Sequence, residues 1–159
     1  MQYTVGISEM KISSNPQDVL VTYSLGSCVG LALYDPQAKV GGLIHCMLPL
    51  SKIDEARAVQ NPCMFTDTGV PLMMQALFDL GAERRRIVAK VAGAAKLLDD
   101  SNTFRIGERN HVVLRKILWK NNILIAAEDV GGTVARTMYV HLDTGATIIK
   151  SAGREYELA

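Results

Sequence analysis

The first third of the chain alternates short apolar runs with turn chemistry, a pattern that predicts strands. Val19-Leu20-Val21-Thr22-Tyr23 is β-branched and aromatic, and the glycine-bearing turn Leu25-Gly26-Ser27 follows it. Val29 to Tyr34 is a second apolar run and Val40 to Leu48 a third, stopped by Pro49. Between them, Asp35-Pro36-Gln37-Ala38 is turn chemistry: Asp folds its carboxylate onto nearby amides and Pro presets φ for a type I turn. Runs two and three therefore predict a β-hairpin, with two loop lengths open. A loop of Asp35 to Ala38 puts Tyr34 opposite Lys39 and Cys28 opposite His45. Adding Lys39 to the loop makes Cys28 face Cys46 instead.

The middle of the chain changes period. Asp67 or Thr68 is placed to cap a helix with the apolar stripe Val70, Met73, Met74, Leu77 and Leu80. Pro71 is tolerated only in the first turn of such a helix, and Gly81 sits where a left-handed closing residue belongs. Arg84-Arg85-Arg86 reads as a solvated loop and Ile87 to Ala92 as a short strand. A second helix fits from Glu108 or Asn110 to Asn122, with Val113, Leu114, Ile117 and Leu118 on one side, followed by a strand from Ile123 to Ala127. Thr137 to Leu142 and Ala146 to Lys150 flank Asp143-Thr144-Gly145 as a second hairpin. Hairpins outnumber βαβ units, which predicts an α/β protein of the α+β type: mostly antiparallel β-sheet layers with packed helices. No repeat or linker divides the chain, so residues 1–159 are expected to form a single domain.

Composition narrows the chemistry. The net charge of +1 gives no electrostatic case for broad nucleic-acid or membrane-surface binding. Three cysteines without a CxxC pair argue against a disulfide framework and fit free thiols in a reducing cytoplasm. Met1 to Ile7 does not read as a signal peptide, and the uncharged run Val19 to Tyr34 is too polar and too short to span a bilayer. A cytoplasmic protein is the expectation.

The hairpin also carries the candidate chemistry. A cysteine with an ordinary pKa near 8.5 is only about 3% thiolate at neutral pH, so a nucleophilic Cys28 needs help. A neighbouring His45 can accept its proton and later protonate a leaving amine. Gly26 and Ser27 let the backbone bend and aim amides at a developing oxyanion, and Thr22 can orient the imidazole by hydrogen bonding. Cysteine is also among the most buried residue types, so an inert Cys28 is the plain alternative. Cys46 and Cys63 read as structural, and no pair of candidate ligands has zinc-site spacing, so a metal site is not expected. His111 falls near a helix start and His141 in a hairpin strand. Trp119, Met73 and Met74 read as helix packing, and Gly131-Gly132 as a turn.

Several of these residues fall into a familiar series. Thr22-Tyr-Ser-Leu-Gly26-Ser27-Cys28 followed by His45-Cys-Met47-Leu48-Pro49 resembles the paired signature of the CheD family of chemoreceptor glutamine deamidases. Asp67, Lys90-Val-Ala-Gly93-Ala94, Ile106-Gly107-Glu-Arg109-Asn110, and Asp129-Val-Gly131-Gly132 with Arg136 match in order, so the likeness runs from about Val5 to Lys150. It implies Cys28 as nucleophile, His45 as general base and acid, Thr22 as the third catalytic position, and the register that opposes Cys28 to His45. It implies a fold similar to the deamidase domain of cytotoxic necrotising toxins and conversion of receptor glutamines to glutamates through a thioester, without a cofactor. The implied partners are chemoreceptor cytoplasmic domains and the phosphatase CheC. The alternative role is a non-catalytic adaptor that binds CheC and receptors. The chain departs from the family's usual pattern at Ala92-Gly93, where Gly-Gly is usual, at Leu97-Leu98, where Met-Phe is usual, and at Phe65, where Tyr is usual.

Overall fold

A computed structural model describes residues 1–96 and 105–159; the Leu97-Leu98 departure lies outside the described residues. Ten strands are named in chain order: β1 Gln2–Thr4, β2 Glu9–Ser13, β3 Val19–Leu25, β4 Val29–Asp35, β5 Val40–Cys46, β6 Val88–Gly93, β7 Ile125–Val130, β8 Arg136–His141, β9 Thr147–Ser151 and β10 Arg154–Glu157. They form two five-stranded sheets, β1-β3-β8-β9-β10 and β2-β5-β4-β6-β7. The helices are α1 Glu55–Gln60, α2 Thr66–Asp79 and α3 Ile106–Lys120.

Alternation along the central strands explains the layering. One face of β4 and β5 sends Ala32, Tyr34 and Leu43 toward Leu20, Leu25, Met138 and Val140, and this cluster fills the space between the sheets. The other face sends Leu31, Leu33, Ile44 and Cys46 toward Val70, Met73 and Leu77 of α2 and Leu114 and Leu118 of α3. Strands buried on both faces read as continuous apolar runs, and every residue of β4 and β5 is buried. The result is sheet on sheet on helices, the expected α+β arrangement. Most pairs are antiparallel, but β1–β3 and β6–β7 are parallel, the second joined through α3.

The hairpin register differs from both sequence alternatives. Asp35 pairs with Val40, so the loop is Pro36–Lys39, and Gly30 rather than Cys28 stands opposite His45. The cause lies far from the turn. Asp35 is fully buried: its Oδ1 accepts from the Gln37 and Ala38 amides, its Oδ2 from the Glu83 amide, and the Arg86 guanidinium closes on both oxygens. These bonds anchor Asp35 at the strand end and leave Lys39 to turn the chain at a positive φ. Arg86 is accordingly only 15% exposed, whereas Arg84 and Arg85 are exposed as expected, on a short 3-10 turn.

Other expectations also shift. α2 starts at Thr66, which leaves Pro71 in its second turn, on the exposed side, and leaves the Asp67 carbonyl without its helical donor. Asp67 does not cap the helix; its carboxylate accepts from the Ser51 amide and hydroxyl. The helix closes as expected, with Gly81 N–H donating to Phe78 O and Ala82 N–H to Leu77 O. Trp119 is 76% exposed, because the buried line of α3 is Gly107, Asn110, Leu114 and Leu118, on another side of the helix. Among the described residues, no helix is long and apolar enough to cross a membrane.

Candidate active site

The open end of the β4–β5 hairpin brings the sequence candidates together. Cys28 precedes β4 by one residue and packs against the inter-sheet cluster, on the face that carries His45. With Gly30 opposite His45, Cys28 lies diagonal to the imidazole; diagonal neighbours are about 7 Å apart and within reach of a ring side chain. Cys46 is fully buried on the opposite face, toward the helices, as strand alternation requires.

Thr22 comes from the other sheet. It is fully buried in β3, and its Oγ1 lies 2.6 Å from Val5 O and 2.7 Å from His45 Nδ1. A carbonyl only accepts, so the hydroxyl proton goes to Val5 and the hydroxyl oxygen accepts from Nδ1–H. That assigns the tautomer: Nε2 carries the lone pair. Nε2 is buried and has no hydrogen-bond partner among the described residues. Burial holds the His45 pKa down at about 4, and burial pushes the Cys28 thiol up to about 11, opposed by its own backbone amide. At neutral pH the two groups are therefore an uncharged thiol and an uncharged base.

The Cys28 loop is tightly held. Just before it, β3 bulges between Thr22 and Leu25, and Ser24 adopts a positive φ. Gly26 does not offer its amide to an oxyanion, since that N–H donates to Ser24 O; its carbonyl accepts from Ala95, and Cys28 O accepts from Ala94. Cys28's own backbone amide favours its thiolate, against the larger effect of burial. Ser27 lies between them, half-buried. Gly93, at φ +105°, backs this loop so closely that a Cβ would fall 2.4 Å from Cys28 O. Ala92 is fully buried in the inter-sheet cluster opposite Gly30, so its methyl meets the core rather than solvent.

Two polar side chains that sequence reasoning left without a role support this frame. Arg136, nearly buried on β8, donates to Gly93 O and pairs with Asp129 at 3.2 Å. Asn110 is fully buried on α3. Its spacing from Leu114 and Leu118 already puts it on the helix's buried line, which is the signal that could have singled it out. His111 pairs with Glu128 at 2.9 Å, away from Cys28.

Comparison with known proteins adds a second line of observation. A family model described as CheD chemotactic sensory transduction matches residues 47–151, a stretch that begins just past His45. Full-length relatives cover the rest. A protein of Syntrophus aciditrophicus (strain SB), named probable chemoreceptor glutamine deamidase CheD 1, is 50% identical over 149 residues, 94% of this chain and 93% of the relative. One from Solibacter usitatus (strain Ellin6076), named probable chemoreceptor glutamine deamidase CheD, is 46% identical over 157 residues, 99% of this chain and 93% of the relative. A third, of the same name from Symbiobacterium thermophilum, is 42% identical over 158 residues, covering 97% and 95%.

Proposed function

The chain belongs to the CheD family, and on that premise we propose that it is a protein-glutamine amidohydrolase that converts chemoreceptor glutamines to glutamates and releases ammonia. Cys28 is the nucleophile, His45 the general base and acid, and Thr22 the group that holds the imidazole. The observation that most supports this reading is the Thr22–His45 bond, which leaves a buried, unpartnered Nε2 on the strand face that the half-buried Cys28 shares as its diagonal neighbour.

The chemistry follows from the protonation states. Cys28 Sγ attacks the glutamine side-chain carbonyl carbon as its proton passes to His45 Nε2. The carbonyl oxygen gains the electron pair and accepts from the Cys28 amide. The tetrahedral centre collapses, the C–N bond breaks, and Nε2–H protonates the nitrogen, which leaves as ammonia. Water then loses a proton to Nε2 and attacks the thioester carbon. The C–S bond breaks, the sulfur takes the proton back, and a glutamate remains. Throughout, Nδ1–H stays on Thr22, which keeps the ring in one orientation.

The family resemblance adds finer proposals: receptor cytoplasmic domains as the substrate region, CheC as a partner and the cytoplasm as the location. The test is incubation with receptor cytoplasmic fragments, followed by ammonia assay and mass spectrometry of the peptides. Parent protein is expected to convert specific glutamines, and Cys28→Ala none. Equal conversion by Cys28→Ala, or none by the parent, sinks the assignment.

A further inference from the structure

We propose that Asn110 is a positioning residue that sets the spacing between the Cys28 loop and the segment leaving His45. The inference rests on the assignment of Cys28 and His45 above. The Asn110 Nδ2 donates to Ser27 O at 3.0 Å and to Met47 O at 3.1 Å. Ser27 immediately precedes the nucleophile, and Met47 stands two residues past the base. Both partners are carbonyls, which only accept, so the amide can face them only through its NH2 group, and both its hydrogens are engaged. The Oδ1 side lies 3.4 Å from the Thr66 hydroxyl at the start of α2. With both donor hydrogens committed to carbonyls, Asn110 has none left to offer a substrate; its action is through the two segments it joins.

The segments need such a clamp. Cys28 and Met47 lie just beyond the last β4–β5 pair, Val29 with Cys46, so the sheet ladder no longer holds them together. Asn110 supplies two bonds where the ladder stops. Its helix is itself seated on the site: a Cβ at Gly107 would fall 2.6 Å from Ala95 O and 2.8 Å from Ala94 O. Ala94 and Ala95 are the residues whose amides hold Cys28 O and Gly26 O. The first turns of α3 thus press at Gly107 on the residues that hold the nucleophile loop, and tie that loop through Asn110 to the segment leaving the base's strand.

Losing the clamp should misplace the reacting pair without touching substrate. A misplacement of an ångström costs about 100-fold in rate. Asn110→Ala is therefore expected to lower kcat about 100-fold with KM within about threefold of the parent, in protein whose circular dichroism and thermal transition show it folded. Asn110→Asp is the companion variant. As a neutral acid its carboxyl donates one of the two bonds; ionised, it repels both carbonyls. Its kcat should fall as pH rises through that carboxyl's pKa, a limb that the parent lacks and that a mere loss of stability would not produce. Should Asn110→Ala fail to fold, the pH profile of Asn110→Asp decides alone. Parent-like kcat in Asn110→Ala, a raised KM with kcat intact, or an Asn110→Asp profile matching the parent's overturns the role. Cys28→Ala and His45→Asn are assayed alongside. If either stays active, the site assignment fails; if both are dead while the Asn110 variants are unimpaired, only the clamp fails.

Discussion

The β4–β5 hairpin buries a polar side chain at each end, and the two are treated differently. At the turn, Asp35 accepts from three backbone amides and a guanidinium. Burial alone would raise its carboxyl, but Arg86 and the Glu83, Ala38 and Gln37 amides pull it down to about 2. At the open end, His45 has one bond, to Thr22, and an Nε2 without a partner among the described residues. A buried polar group that only supports a fold is normally satisfied. An unsatisfied one costs stability, and in the function proposed above a reactant supplies the partner that His45 Nε2 lacks. On that proposal, the same hairpin separates structural from reactive burial.

Removing the base tests the contrast most strongly. His45→Asn keeps a donor near the Nδ1 position for Thr22 but has no lone-pair nitrogen. It is expected to lower deamidation by about 1,000-fold while the thermal midpoint stays close to the parent's; a rate within tenfold would make Nε2 dispensable. Asp35→Ala should do the reverse. It leaves Arg86 without its carboxylate and is expected to destabilise the fold by about 3 kcal/mol, read by urea unfolding, with kcat per folded molecule unchanged. Acid separates the two ends in one molecule. The folded His45 pKa of about 4 lies below its ordinary 6.5, so the unfolded chain binds a proton first and stability is lost as pH falls between those values. The full loss is on the order of 3 kcal/mol, using 1.36 kcal/mol per pKa unit. The Asp35 contribution, present above its ordinary 3.8, is lost only as pH falls further toward 2. The first stage should vanish in His45→Asn, and unfolding followed by circular dichroism would show whether it does.

The same comparison explains what could be read in the sequence. Asp-Pro turn chemistry and apolar runs located both strands and the hairpin, because those signals are local. The rung was not legible, because Asp35 is fixed by Arg86, 51 residues away in the chain. The face survived the error: the loop that opposed Cys28 to His45 differs from the observed one by two rungs, and strand alternation repeats every two residues. The alternative opposing Cys28 to Cys46 would have put the thiol and the imidazole on opposite faces. That Thr22 reaches the imidazole across the gap between sheets was not legible, because sheet packing is not a local signal. The short strands β1, β2 and β10 escaped notice because three to five residues of mixed polarity carry little pattern, and each is held by a partner strand rather than by its own propensity.

The single bond from Thr22 to His45 ties proton chemistry to how two β-layers rest on each other. Its 2.7 Å length leaves only a few tenths of an ångström before it weakens, so sliding one layer against the other frees the ring to turn. Leu20, Leu43 and Met138 never meet solvent, yet by setting that layer spacing they help decide which nitrogen bears the proton.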